Sequence, residues 1–424
     1  MTSLALQFQA HADYRPETLS VGTGRQLIID AVSPIVGTEH IPLRDALGRV
    51  LAESVVCPID VPAHDNSAMD GYGLRGADLA ADGPTTLDIV GTAFAGQPCA
   101  ASVGPGQAVR IMTGARLPAG VDTVVMQEVT HAEGSRVTLA PGQRAGQNVR
   151  RAGEDLHAGQ AALAAGRQIK PAELGLVASL GISEVAVRRR LRVAFFSTGD
   201  EVVTLGSAAR DGQIYDSNRY TLFGMLTRLG VDVIDIGVVR DDPDALETTL
   251  REAASVADVV ITSGGVSVGD ADFTRAMMAR LGEVLFWKIA MKPGRPMAFG
   301  RIGREGDSAW LFGLPGNPVA AMVSFYQFVQ PALLRLAGVS PLPALPVLQA
   351  PCTTALRKAA GRTEFLRGVL SLEGGAWQVR TTGAQGSGIL SSMADANCFI
   401  VLGPDQTNVA AGEPVDVQLF DGLI

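Results

Sequence analysis

Between Leu191 and Leu336 the hydrophobic pattern alternates. Apolar, β-branched runs stand at 191–196 (LRVAFF), 231–239 (VDVIDIGVV) and 258–262 (DVVIT), and between them apolar residues return at helical spacing, near Ser217 to Leu229 and after Pro243. A helix running to Leu281, strands near Val284 and Ala309, and a helix opened by Pro318 continue the series. Strand and helix in turn predict a doubly wound, mostly parallel sheet, because parallel strands need crossovers and helical crossovers cover both faces. Ligands of such sheets bind at the carboxyl ends of the strands.

The flanking pattern is different. The first twenty or so residues read as a loose tail, followed by helices near Gly24 to Ser33 and Leu43 to Arg49. From Ile59 to about Gly159, short runs such as 108–112, 123–128 and 136–139 are punctuated by Gly, Pro and Asp, the texture of an all-β module. Helical texture resumes at Pro171 and stops before Gly181, so the β module reads as an insertion into an earlier domain. After Ser340 a proline-rich linker, PLPALPVLQAP, leads to short strands broken by glycine turns, a small β-barrel. The expected fold is a multidomain α/β protein. It has a mixed, elongated N-terminal domain from 22–59 plus 158–190, an inserted β module at 60–157, the central α/β domain at 191–340 and the barrel at 341–424.

Composition narrows the class. With 47% hydrophobic and 18% charged residues, 424 residues can bury several cores. The net charge is −8 and the one basic run is Arg188 to Arg190, so a nucleic-acid or membrane-surface footprint is not expected. Cys57, Cys99, Cys352 and Cys398 are too dispersed for a C-x-x-C site, the five histidines form no pair at helical spacing, and the thiols read as reduced. The opening MTSLALQFQAHADYR has neither a basic leader nor a long apolar core, and the expectation is a cytoplasmic protein.

The chemistry concentrates in loops after predicted strands. SGGVSVGDAD (263–272) is a strand end, a glycine turn and a helix start; Gly264 and Gly265 let backbone N–H groups approach an anion, and Ser267 adds a hydroxyl. A glycine turn of this kind also occurs in α/β folds with nothing bound. STGDE (197–201) and RDD (240–242) follow the first two strands. Carboxylates at Glu201, Asp241, Asp270 and Asp272 beside an anion loop call for a hard cation, and magnesium suits them; Asp270 and Asp272 taken singly could equally be helix caps. The segment WKIAMKPGRP brings Lys288, Lys292 and Arg295, the first two spaced to share a face, and GLPGNP (313–318) repeats the strand, turn and helix plan with Pro315 and Pro318 holding a rigid loop. In the β module, DNSAMDGY (65–72) and IMTGA (111–115) are turn chemistry or ligand contacts. No G-x-G-x-x-G follows Phe196, which argues against a dinucleotide-dependent oxidoreductase.

These motifs, with GED at 153–155, stand in the order found in the molybdopterin molybdenumtransferases, and from about residue 22 onward the chain resembles that family, which includes the C-terminal domain of gephyrin. The resemblance implies an enzyme that takes adenylylated molybdopterin and molybdate, inserts molybdenum into the dithiolene and releases AMP with the help of Mg2+. It implies that Gly264, Gly265 and Ser267 cradle a phosphate, that Asp241 and Asp272 hold magnesium, and that Glu201 is an active-site carboxylate. Lys288, Lys292, Pro315 and Pro318 would form the molybdate and substrate pocket, with Arg367 (in EFLRG) and Ser387 (in QGS) added from the C-terminal domain. Asp65, Thr113 and Asp155 would reach the active site of the other subunit of a homodimer, and other cofactor-biosynthesis proteins are possible partners. Two alternatives share the fold: a molybdopterin adenylyltransferase, against which the β module and the C-terminal domain argue, and a scaffold, for which no partner-binding linker is visible.

Overall fold

A computed structural model of the chain describes residues 3–265, 277–304 and 307–420. At its centre a six-stranded sheet runs in the order Asp232–Val239, Arg192–Thr198, Val259–Ser263, Asp307–Leu314, Pro296–Arg304 and Gly282–Lys288. The first four strands are mutually parallel. The last two pair antiparallel, so the expected strand and helix alternation ends at one edge of a mixed sheet. Pro296–Arg304 is the strand that the sequence pattern hides, because it follows the prolines of MKPGRP and carries Gly300 and Gly303 in place of a continuous apolar run.

Burial on both faces follows from period two. Along Arg192–Thr198, Val193 and Phe195 enter one core with Leu222, Phe312 and Phe328, while Ala194 and Phe196 enter the other with Leu246, Leu250 and Leu311. The covering helices begin where their caps dictate. Asp216 accepts from Arg219 N at 3.0 Å ahead of Ser217–Arg228, and Asp242 accepts from Ala245 N at 2.9 Å ahead of Pro243–Val256. The last helical stretch, Pro318–Leu336, is apolar and long enough to cross a bilayer, but 78% of it is buried inside the protein, where it serves as a core helix.

The start of the chain is not a loose tail. Leu4–Gln9 is a helix whose first N–H groups, those of Leu4 and Ala5, each bond the Glu283 carboxylate at 2.8 Å. Phe8 packs against Trp287, with ring centroids 5.7 Å apart, and beside Phe299. A six-residue helix with two buried side chains is too short to leave a periodic signal in sequence; tertiary contact and a carboxylate at its N-terminus hold it.

Strand Thr38–Pro42 pairs with Glu184–Arg188, and Val55–Val56 with Ala161–Leu163, so the segments on either side of the β region meet around Leu51, Cys57, Ile169, Val177 and Val187. The helix Val21–Ala31, in contrast, sends Leu27 and Ile28 into the central-sheet core. Between the two halves lies a separate six-stranded sheet running from Thr123–Met126 to Thr130–Glu133. At the C-terminal end the strands Val347–Pro351, Pro414–Leu419, Cys398–Leu402, Thr363–Glu373 and Ala376–Thr381 are neighbours in that order. A Cys352–Val379 bridge joins the last back to the first, closing a small barrel. All four cysteines are unpaired.

Phe8→Ala is expected to cost about 3 kcal/mol by leaving a cavity against Trp287. The check is the midpoint of denaturant unfolding followed by Trp fluorescence; a midpoint equal to wild type would mean that the N-terminal helix contributes no stability.

Candidate active site

One open cavity of about 1230 Å³ lies at the carboxyl ends of the four parallel strands. Each strand delivers one loop to it: Thr198 to Glu201 after the first, Asp241 after the second, Ser263 to Gly265 after the third, and Pro315 to Pro318 after the fourth. Met291 to Pro296 form another wall, and Arg362 with Gln385 to Gly388 reach in from the C-terminal barrel.

The glycine turn is forced by crowding. Gly264 has φ +91° and Gly265 φ +68°, both in the left-handed region that side chains avoid. A Cβ on Gly264 would overlap the Thr198 carbonyl oxygen, and one on Gly265 would lie 2.8 Å from the Thr198 methyl. Gly316 has its nearest neighbour beyond the turn, the Cα of Gly264, 3.8 Å from its own would-be Cβ, so the two glycine turns abut.

Two side chains that the sequence reading passed over hold these loops together. Asn218 donates from Nδ2 to Ser263 Oγ at 2.8 Å and to the Gly316 carbonyl at 2.7 Å, tying the third loop to the fourth. Asp216, only 3% exposed, accepts from Ser197 Oγ at 3.0 Å while capping its helix, which ties the first strand to the same point. Both line the cavity. In sequence they read as a helix cap and its neighbour; nothing in DSN separates a cap from a cavity wall.

The basic groups divide. Lys292 lines the cavity and lies 3.4 Å from the carboxylate of Glu364, a buried residue on the barrel strand that pairs with Met291–Lys292. Arg295 and Arg362 line it too, the latter unremarked in the sequence. Lys288 does not share this face. The edge strand ends at Lys288, the chain turns with Ile289 N bonded to Arg295 O at 2.7 Å, and Lys288 forms an ion pair with Glu17. Arg367 does not line the cavity either. It is fully buried, donates to Ser392 Oγ and the Gly386 carbonyl at 3.0 Å each, and burial brings its guanidinium down to about 10. It braces from behind the loop whose Ser387 lines the cavity and whose Ser387 carbonyl accepts from Val319 N at 3.1 Å.

Residues of the β module stand outside this cavity. Asp65 accepts from Ala152 N at 2.8 Å and from Arg151 at 2.7 Å, contacts that hold its carboxyl below the usual range. Thr113 donates both its N–H and its hydroxyl to Asp70 at 2.7 Å, and those bonds likewise depress Asp70. Asp155 is exposed. Ser267, Asp270 and Asp272 lie outside the described residues. Among the described residues no three His, Cys, Asp or Glu gather as a metal cluster; Glu201 and Asp241 are carboxylates from two loops on one cavity.

Comparison with known proteins matches three family models along the chain: the MoeA N-terminal region (domain I and II) over residues 19–181, a "Probable molybdopterin binding domain" over 194–335, and the MoeA C-terminal region (domain IV) over 349–420. A curated protein of Haemophilus influenzae, named molybdopterin molybdenumtransferase, is 45% identical over 408 residues, which cover 96% of this chain and all of that one. A protein of the same name from Nostoc sp. is 38% identical over 89% of this chain and 88% of its own. Among solved structures, the molybdopterin biosynthesis moeA protein of Pyrococcus horikoshii OT3 superposes with a TM-score of 0.81 at 29% identity, covering 95% of this chain and 100% of that one.

Gly264→Ala is expected to destabilise the central domain by about 1–3 kcal/mol, since the residue must move off both a positive φ and the Thr198 carbonyl. Gly316→Ala should be close to neutral, its added methyl meeting nothing nearer than 3.8 Å. Thermal unfolding of the two variants side by side is the check, and equal midpoints would contradict the crowding argument.

Proposed function

The chain belongs to the molybdopterin molybdenumtransferases, and from that membership we propose that it transfers molybdenum from molybdate to adenylylated molybdopterin in the cavity at the strand ends, with release of AMP. The observation that supports this most is the composition of one cavity wall. Lys292, Arg295 and Arg362 face the same space as two abutting glycine turns and the carboxylates Glu201 and Asp241. Molybdate is a tetrahedral dianion, and cationic side chains with backbone N–H groups are the donors suited to it. Glu364, 3.4 Å from the Lys292 ammonium group, offsets part of its charge.

In this reading the Gly264 and Gly265 turn, with Ser267, holds a phosphate of the substrate, and the Pro315 to Pro318 loop with Ser387 shapes the molybdate side. Arg367 acts through the loop it braces, and Lys288 contributes to the fold at the Glu17 pair. Asp242 is occupied as a helix cap, so Asp241 is the RDD carboxylate that lines the cavity. Mg2+ fits an all-oxygen set of this kind, which needs only one or two protein carboxylates beside water and phosphate; Asp241 and Asp272 would hold it, with Glu201 close by. When bound it supplies charge neutralisation for a phosphoanhydride. The chain's own residues then orient the reactants and shield them; no nucleophilic side chain is called for.

We also propose that the protein works as a homodimer in the cytoplasm, with Asp65, Thr113 and Asp155 of the 60–157 module completing the partner's cavity. In this reading the module is divided from a 22–59 plus 158–190 domain, whose first helix packs on the central sheet, from the 191–340 domain and from the 341–424 barrel. These polar side chains stand apart from the cavity of their own chain, which is what sharing between subunits requires. Substrate would be handed over by other molybdenum cofactor biosynthesis proteins, and no nucleic acid or membrane takes part.

Asp241→Asn is expected to cut molybdate-dependent AMP release at least about a hundredfold, and Lys292→Ala to raise the molybdate concentration needed for half-maximal rate. Chelation should silence the wild type until magnesium is restored. Unchanged turnover in Asp241→Asn, or an unchanged molybdate requirement in Lys292→Ala, would refute the corresponding role.

Mixing Asp65→Ala with Asp241→Asn, each inactive alone, should recover part of the activity after subunit exchange, because one hybrid cavity is then intact. Absence of recovery in a preparation shown by sedimentation to contain hybrid dimers would remove the β module from the active site.

A further inference from the structure

The cavity carries a second chemistry besides its anion-binding groups. Asp216, Asn218 and Thr198 are each at least nine-tenths buried, all three line the cavity, and each has an oxygen, Oδ2, Oδ1 and Oγ1 respectively, with no hydrogen-bond partner. The remaining capacity of these groups is already used. Asp216 Oδ1 accepts from Ser197 and from the helix N–H of Arg219, and both protons of Asn218 Nδ2 are donated, to Ser263 and Gly316. Asp216 and Asn218 therefore have only acceptors left to offer. A buried acceptor without a donor costs about 1–3 kcal/mol, and two such acceptors on one helix start at the cavity wall would be satisfied by a guest that brings donors.

The guest's donor pattern can be read from this. An adenine edge presents a single amino group flanked by ring acceptors, and two acceptors in a row would repel it. A pterin presents adjacent donors, the ring N3–H and the 2-amino group, which match a carboxylate oxygen and an amide oxygen. Ile214 and Tyr215, half-exposed and immediately before Asp216, line the same cavity and offer an apolar plate for a flat ring. Resting on the reading of the cavity given above, we propose that Asp216 and Asn218 are the specificity-determining residues for the pterin, accepting hydrogen bonds from its 2-amino-4-oxo edge, while the lysine and arginine wall takes the oxyanions.

The test compares two small probes, 6-hydroxymethylpterin and 6-hydroxymethyllumazine, in which a 2-oxo acceptor replaces the 2-amino donor, by calorimetric titration or fluorescence competition on the full chain. Wild type should prefer the pterin at least about tenfold, the loss expected when one buried acceptor goes unpaired. In Asp216→Asn the Oδ1 acceptor that caps the helix is kept and the open oxygen becomes an NH2 donor. Pterin affinity should fall at least about tenfold and the preference vanish, with AMP and molybdate affinities unchanged. No pterin preference in wild type overturns the proposal without any variant being needed. It is also overturned if Asp216→Asn keeps the preference, or if it loses AMP affinity or magnesium dependence instead, which would make the residue a ribose or metal contact. Molybdate-dependent AMP release by the same wild-type preparation reports separately on the activity itself, so that a failure there and a failure of pterin selection are distinct results.

Discussion

The close approach of the Gly264 turn to the Thr198 carbonyl is the constraint on which the site depends. Gly264 is pressed so tightly onto the Thr198 carbonyl that only a residue without a side chain fits, and Gly316 comes up against it from the neighbouring strand. The first and third loops are thereby fixed relative to each other by backbone packing, and Asn218 ties the fourth loop to them. Backbone is the least adjustable part of a protein, so N–H groups placed in this way lose little entropy when a ligand binds. The large cores above and below the sheet are what permit such crowding, because they hold the strand ends at fixed spacing.

Charge is distributed on that frame so that neither sign dominates. The cavity sets Lys292, Arg295 and Arg362 against Glu201, Asp216 and Asp241. A uniformly basic pocket would bind phosphate and molybdate tightly and release product slowly, whereas mixed charge lowers the affinity for any single anion and rewards a guest that carries several kinds of group. The buried Arg367 fits the same logic. Its charge is spent on the Gly386 carbonyl, where it stiffens a loop.

Much of this was legible in the sequence, for reasons that differ by element. The parallel half of the sheet announced itself because strands buried on both faces must be continuous apolar runs, as in 191–196 and 258–262. The antiparallel edge did not, since Pro296–Arg304 is broken by glycines and introduced by prolines. The loops that meet at the strand ends were identified from glycine and carboxylate spacing, and topology brings Glu201, Asp241, Gly264, Lys292 and Pro315 to one cavity. Lys288 was misplaced because a spacing of four implies a shared face only inside a regular element, and the chain turns after it. Asp216 and Asn218 went unread because an aspartate before a helix is explained locally by capping; a second role for the same carboxylate is visible only when Ser197 and Ser263 are seen beside it. Phe8 meets Trp287 and Glu17 meets Lys288, each across more than 270 residues, which no local pattern encodes.

The pairing of Met291–Lys292 with Thr363–Glu364 has a mechanical consequence. This two-residue parallel ladder stitches a wall of the cavity to the first long strand of the C-terminal barrel, and Arg362 precedes it directly. Phe365 and Phe399 of the barrel lie in the same core as Phe312 and Phe328 beneath the sheet, so the junction is held by apolar packing as well as by the ladder. The spacing between the cationic groups and the glycine turns is therefore fixed by a core that two domains share, and loosening that core would disturb the site without touching any residue that lines it.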